Sequence, residues 1–246
     1  MKKFITNLKY SLSENRYLYL ISSITFLTIY LSTFTKGYGY FIDEFYYIAC
    51  ANNPDFGYVD HPPLAPLILT VFQFVFGTSI YSIRFLPALA AAISVFYTGI
   101  LTKEIGGNKF AQLLAACSLA AMPVTIAFGT FYSMNAFEPL LAVLLLLVTS
   151  RMIKSENYKL WIHAGVIMGL GVMNKHTFGV FILALLFSLI LSGKWKLLFN
   201  RWFIVGGIIS ALIFLPNIIW QILNDFPSLE VYRNISADKN VYTPPL

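Results

Sequence analysis

Between Tyr38 and Pro66 four of the chain's eleven carboxylates, Asp43, Glu44, Asp55 and Asp60, crowd together with tyrosines, phenylalanines and prolines. The adjacent pair Asp43-Glu44 follows Gly37 and Gly39 and precedes FYYIACAN, which reads as a short amphipathic helix. A carboxylate placed there can act as general base, taking a proton from an attacking hydroxyl or amine. The same pair can equally cap the N-terminus of that helix. Tyr58-Val59-Asp60-His61-Pro62-Pro63 is the second constellation. Its prolines fix an extended backbone, so Asp60 and His61 are presented rigidly, either to a phosphate-bearing or sugar substrate or simply as a turn into the next helix. His61, His163 and His176 are the only histidines, and no two stand at metal-ligand spacing. No metal-ligand set is assigned, a divalent metal is neither indicated nor excluded, and no cofactor is indicated.

Two further groups complete the set. Glu138 precedes Pro139 at the start of an apolar run, where a carboxylate either has a partner or task or serves as a helix-start acid. Asn174-Lys175-His176 occupies a tight connector between two apolar runs. Lys175 there suits a lipid-linked phosphate, or snorkels to headgroups, and Arg84 invites the same two readings.

These residues must be positioned by helices in a lipid bilayer. The chain is 58% hydrophobic and only 11% charged, with a mean hydropathy of +0.70. That is too little charge to coat a water-soluble globule of this length, so the fold class expected is an all-α polytopic membrane protein. The net charge of +6 is dispersed among apolar runs rather than gathered in a stripe, which argues against a nucleic-acid partner. Apolar runs at 17–34, 82–101, 110–130, 137–150, 160–173, 177–192 and 202–222 predict about seven spans, the first an uncleaved helix. The run 64–76 is too short to cross and reads as interfacial or re-entrant. If it does not cross, segments 1–16, 102–109, 151–159 and 193–201 share one side and hold twelve of the seventeen Lys and Arg residues. If it did cross, the count would be eight against nine. The positive-inside rule selects the first arrangement. It places the N-terminus in the cytoplasm and the first loop, 36–81, outside with Asp43, Glu44, Asp60, Glu138 and Lys175.

In order along the chain, Asp43-Glu44, GYVDHPPLAP, Arg84-Phe85-Leu86, SMNAFEPLL, GLGVMNKHTFG and PNIIWQILNDFPSLEVYRN resemble the GT-C glycosyltransferases. The most similar group is the bacterial relatives of dolichyl-phosphate-mannose protein mannosyltransferase and lipid A aminoarabinose transferase. The resemblance implies a GT-C-type transmembrane bundle in the bacterial plasma membrane, with residues 1–246 as its N-terminal part and a C-terminal remainder beyond. It implies transfer of a sugar, with inversion, from a polyprenyl-phosphate carrier to a lipid, glycan or protein acceptor on the outer side. On that resemblance Asp43 is the base and Glu44 supports it. Tyr58, Asp60 and His61 line the donor site, Glu138 is a second acidic position, and Lys175, His176 and Arg84 contact substrate. Asn135 and Glu138 stand where many relatives carry Asp, and His61 where some carry Lys. A transporter or flippase of lipid-linked intermediates is the main alternative. It predicts broken helices and midplane polar groups. An inactive truncated product is a third reading.

Overall fold

The computed structural model describes residues 14–35, 37 and 39–238, the last four as helix backbone alone. Lys2, Lys3, Lys9, Lys36, Tyr38 and Lys239, used above for topology or loop boundaries, lie outside the described residues. Within them the chain is helical, with no strand. The eleven α-helices are α1 (Arg16–Ser32), α2 (Ile42–Asn52), α3 (Leu64–Phe76), α4 (Ile80–Glu104), α5 (Lys109–Ala121), α6 (Pro123–Thr130), α7 (Glu138–Ser155), α8 (Trp161–Asn174), α9 (Phe178–Leu191), α10 (Arg201–Leu223) and α11 (Pro227–Asp238).

All seven apolar runs form helices. Three of these, at Ile80–Glu104, Met134–Ser155 and Arg201–Leu223, are long and apolar enough to cross a bilayer. The run 110–130, expected to be one span, is broken into α5 and α6, which meet at 56° and make a fourth span only if the bent pair crosses together. The break has a local cause. Pro123 has no N–H to give to α5, and it holds Met122 in the extended region at φ −64°, ψ 129°. Helix α1, of 17 residues, is at the lower limit of a crossing, and α8 and α9, of 14 residues each, are shorter than one. Residues 64–76 form α3, a 13-residue helix whose Phe74 is 92% exposed, as suits a segment lying against lipid.

Helix α4 is the axis of the bundle. Its small residues Ala88, Ala90, Ala91 and Ala92 are buried, which lets neighbouring backbones come close. Ser22 of α1 donates its hydroxyl to the Ala92 carbonyl at 2.6 Å. Arg84 and Glu104, near opposite ends of α4, stand about 30 Å apart at the helical rise, the thickness of a hydrocarbon core. Around Glu104 gather Glu14–Lys103, Glu104–Arg151 and Glu104–Lys154 ion pairs. Around Arg84 gather Glu44, Tyr132 and the loop that carries Asp60 and His61. The segments that charge counting grouped on one side thus meet at one end, and the carboxylates of the first loop meet at the other.

The second packing unit is the crossing of α8 and α10. A Cβ on Gly165 would meet the Gly206 carbonyl oxygen at 2.3 Å, and one on Gly206 would meet the Trp161 carbonyl oxygen at 2.4 Å. Backbone faces backbone here, so no side chain can swing aside. Trp161 is buried beside it, donating its indole N–H to the Leu197 carbonyl at 2.8 Å. Gly165→Leu is expected to force the two helices apart and to destabilise the bundle by about 1–3 kcal/mol. The check is thermal unfolding in detergent, read on tryptophan emission, with a substantial drop in midpoint as the expected outcome.

Candidate functional site

The site begins with two neighbouring carboxylates that have opposite surroundings. Both lie in the first turn of α2, but successive helical residues point about 100° apart. Glu44 turns into the bundle and is fully buried. Its Oε1 accepts from Arg84 Nε at 2.9 Å and from the Tyr132 N–H at 3.1 Å. Its Oε2 accepts from Arg84 Nη2 at 2.7 Å and from the Phe41 N–H at 2.8 Å. The last bond is the capping interaction expected at a helix N-terminus. The others tie α2 to α4 and to the chain entering α7. Arg84 Nη2 also donates to the Gly39 carbonyl at 2.8 Å. Asp43 turns outward, is exposed, and has no hydrogen-bond partner among the described residues. Beside the pair a cleft of about 450 Å³ opens between the end of α1, the loop before α2 and the segment after α6, lined in part by Tyr40, Phe41, Arg84 and Phe131.

The second part is the loop 53–63, which α10 holds in place. Asp55 accepts the Trp220 indole N–H at 2.8 Å, and the Phe56 carbonyl accepts from Asn217 Nδ2 at 2.9 Å. Gly57 lies flat on the Trp220 ring, where a Cβ would come within 2.2 Å of a ring carbon. The Tyr58 hydroxyl donates to the Cys50 carbonyl at 2.9 Å, so Tyr58 staples the loop to α2. The loop then presents Asp60 and His61. Asp60 is half exposed and accepts the Tyr46 hydroxyl at 2.5 Å. Burial, and after it this bond, push the Tyr46 phenol well above its ordinary value.

His61 is 1% exposed and stacks on Tyr47, ring centroids 4.9 Å apart. Its Nδ1 lies 2.9 Å from the Pro62 carbonyl. A carbonyl only accepts, so Nδ1 carries the proton. Burial pushes the His61 pKa down, against the pull of the Pro62 carbonyl and Asp60. The ring is therefore neutral, with a bare lone pair on Nε2. That atom is buried without a hydrogen-bond partner, 3.9 Å from Asp60 Oδ1.

Lys175 and His176 close the third side. Lys175 Nζ donates to Asn135 Oδ1 at 2.9 Å and Glu138 Oε2 at 3.1 Å, joining the end of α8 to the start of α7. Both charged partners stay about 30% exposed, so the pair is open to a ligand. Asn174, fully buried, donates to the Met134 carbonyl at 2.9 Å. His176 Nε2 is 3.2 Å from Asn217 Oδ1. Asn217 presents its NH₂ to the Phe56 carbonyl, so its oxygen faces His176 and Nε2 is the protonated nitrogen. His176 Nδ1 then accepts from the Tyr232 hydroxyl at 2.9 Å. Burial is the main cause that lowers the His176 pKa; nearby His61 adds to it, and Asn217 opposes it. Tyr232 gets there through a sharp reversal in which Asp225 and Phe226, at φ 59° and 56°, both adopt the left-handed conformation.

The structure thus gathers Asp43, Glu44, Tyr58, Asp60, His61, Arg84, Glu138, Lys175 and His176 at one end of the bundle, but it redistributes their tasks. Arg84, expected to contact substrate, is neutralised by Glu44, and His61, expected to line the donor site, is buried and uncharged. Tyr58 holds the loop. Tyr46, Tyr47, Asn217 and Tyr232 join the site unforeseen. Among these, Asn217 had a visible signal: with Gln221 it is a polar pair four residues apart inside an apolar helix, following Pro216. No group of three or more metal-binding side chains is brought together among the described residues.

The family model of dolichyl-phosphate-mannose-protein mannosyltransferase matches residues 60–220, about two-thirds of the chain. The chain belongs to that family. It is a membrane glycosyltransferase, and the apolar helices described above are the membrane part of this mannosyltransferase-family fold. No curated protein and no solved structure matches the chain. The family match opens at Asp60, takes in His61, Arg84, Glu138, Lys175, His176 and Asn217, and starts after Asp43 and Glu44.

The two neutral histidines make loop docking sensitive to acid. Their pKa values in the folded state lie below the ordinary value, so at low pH the unfolded chain binds more protons than the folded one. Their contribution to stability is complete above about pH 6.5 and is lost as pH falls through the folded-state values. Acidification from about pH 7.5 to about pH 5 is expected to lower the unfolding midpoint and to speed hydrogen exchange at residues 55–58. His176→Gln, which keeps a hydrogen-bonding group, is expected to flatten part of that dependence.

Proposed function

We propose that this mannosyltransferase-family protein transfers a sugar from a polyprenyl-phosphate carrier to an acceptor hydroxyl or amine at the end of the bundle that carries Asp43, the outer face of the membrane. The observation that supports this reading best is the division of labour between two adjacent carboxylates. Glu44 has every oxygen engaged and is buried, so it cannot exchange a proton with substrate. Asp43, one residue before it and held by the same helix, is exposed and unpartnered. A general base must reach the proton it removes, and Asp43 is the member of the pair that can.

In this reading the acceptor approaches Asp43, which takes its proton as the acceptor oxygen or nitrogen attacks the anomeric carbon. The bond from that carbon to the phosphate oxygen breaks, and polyprenyl phosphate leaves from the opposite face with the bonding electrons, so the configuration inverts. Its charge is met by Lys175, whose side chain is about 30% exposed and already oriented by Asn135 and Glu138. Arg84 contributes indirectly, by fixing Glu44 and hence the direction in which Asp43 points. His61, neutral and buried, brings no positive charge to the phosphate, whereas Asp60, half-exposed beside it, can accept a sugar hydroxyl. The apolar flanks of the bundle are suited to the prenyl chain. The flippase reading has the α5–α6 break in its favour, but the cleft beside that break is lined mostly by apolar residues, with Ser94 and Thr125 as its polar groups and no charged side chain among the described residues.

The test is transfer from a radiolabelled polyprenyl-phosphate sugar by purified protein in nanodiscs. Asp43→Asn is expected to fold normally and to lose at least about a hundredfold in rate. Transfer at the unsubstituted rate by folded Asp43→Asn would remove the base assignment. Substrate flux across sealed vesicles without any glycosyl transfer would replace the reading with transport.

A further inference from the structure

At the end of the bundle opposite Asp43 a second cleft, of about 490 Å³, lies between the ends of α1 and α7, with α4 as its floor. Its mouth is charged. Glu104 divides its two oxygens between Arg151 Nε at 3.2 Å and Lys154 Nζ at 3.6 Å. Lys103 reaches across to Glu14 at 2.5 Å. Among the described residues three cations therefore face two carboxylates, which leaves the mouth one negative charge short of neutral. Arg151 engages Glu104 through Nε alone, which leaves its outer N–H groups available to a forked acceptor. Arg151 and Lys154 are about half-exposed.

Deeper in, the lining changes. Tyr97 stands seven residues before Glu104 on α4, about 10 Å further toward the membrane centre. It adjoins Phe96, and Phe96 packs on Tyr19 of α1 with centroids 4.6 Å apart. The cleft is thus amphipathic along its depth, cationic at the rim and aromatic below. Such a gradient matches a molecule with one negative charge at its head and hydrocarbon behind it. A free phosphate would satisfy the rim and leave the aromatic wall unfilled.

We infer that this cleft is a binding site for the headgroup of an anionic phospholipid, its phosphodiester lying on Lys103, Arg151 and Lys154 and its acyl chains running along Tyr97, Phe96 and Tyr19. One phosphodiester brings the mouth to neutrality. The bound lipid ties α1, α4 and α7 together at the end where α7 enters its turn toward α8. This site is independent of the transfer chemistry proposed above, since it lies the full length of α4 away.

The test is native mass spectrometry of the full chain in uncharged detergent, titrated separately with phosphatidylglycerol, phosphatidylcholine and soluble glycerol phosphate. Retention of one phosphatidylglycerol in clear preference to phosphatidylcholine, with no retention of glycerol phosphate, is expected. Arg151→Gln/Lys154→Gln is expected to weaken phosphatidylglycerol binding by about tenfold to thirtyfold, the usual effect of removing two cations at a lipid surface. Lys154→Gln alone, at the longest and most exposed contact of the rim, gives a smaller loss in a chain whose fold is less perturbed. Lys196→Gln, at an exposed lysine outside the cleft, is expected to change nothing. Equal retention of the two lipids, equal binding by glycerol phosphate, or undiminished phosphatidylglycerol binding in both cleft variants would each overturn the assignment.

Discussion

Everything at the active end of this protein depends on a charge that is buried with its partner. Glu44 and Arg84 are joined by two short hydrogen bonds, and the remaining acceptor capacity of Glu44 is filled by the backbone of two other segments. An ion pair in such a position contributes little by itself, because both groups lose their hydration on burial. Removing one partner, however, leaves an uncompensated charge, which is commonly worth about 3–5 kcal/mol. The arrangement is therefore strongly committed. Because four bonds converge on one carboxylate, α2 has a single orientation on α4, and the segment entering α7 has a single approach. The direction in which Asp43 points follows from that.

A second constraint acts on the opposite flank. Asn217, Trp220 and Gln221, on the outer turns of α10, grip the loop 53–63 and the start of α11. Gly57 is required there because the Trp220 ring occupies the place of any side chain. The two constraints bring these groups to one end of the bundle, where Tyr46, Tyr47 and His61 pack on one another and Lys175 pairs with Glu138. Charge is balanced pair by pair there, with the carboxylates of Asp43 and Asp60 left exposed. That balance suits a reaction in which a proton leaves the nucleophile as a phosphate departs.

Much of this architecture was legible in the residues. The limits of the 64–76 helix followed from its 13 apolar residues, a length short of a bilayer crossing. The grouping of loops at two ends followed from the count of basic residues on either side. The kink at Pro123 was signalled by the proline yet overridden by the apolar run around it, which reads as one span when hydropathy alone is followed. Other features could not be read at all. Glu44 pairs with a residue forty positions away and Lys175 with one thirty-seven away, and no local pattern announces such distances. Neutral His61 was unreadable for the same reason, since its charge is set by Tyr47 stacking and by burial that only the folded chain creates. The family likeness of the motifs, by contrast, was carried by short runs of sequence and needed no tertiary structure.

The central claim is that Glu44 organises the site and Asp43 performs the proton transfer. It is tested most directly by measuring sugar transfer with the double variant Glu44→Gln/Arg84→Met, which removes the buried pair as a unit and leaves no orphaned charge. The account expects the double variant to regain most of the stability lost by Glu44→Gln alone and, because Asp43 loses the anchor that aims it, to transfer sugar at least about tenfold more slowly than the unsubstituted protein. A folded and stable double variant that transfers at the unsubstituted rate would contradict it, since the buried pair would then not be what positions Asp43.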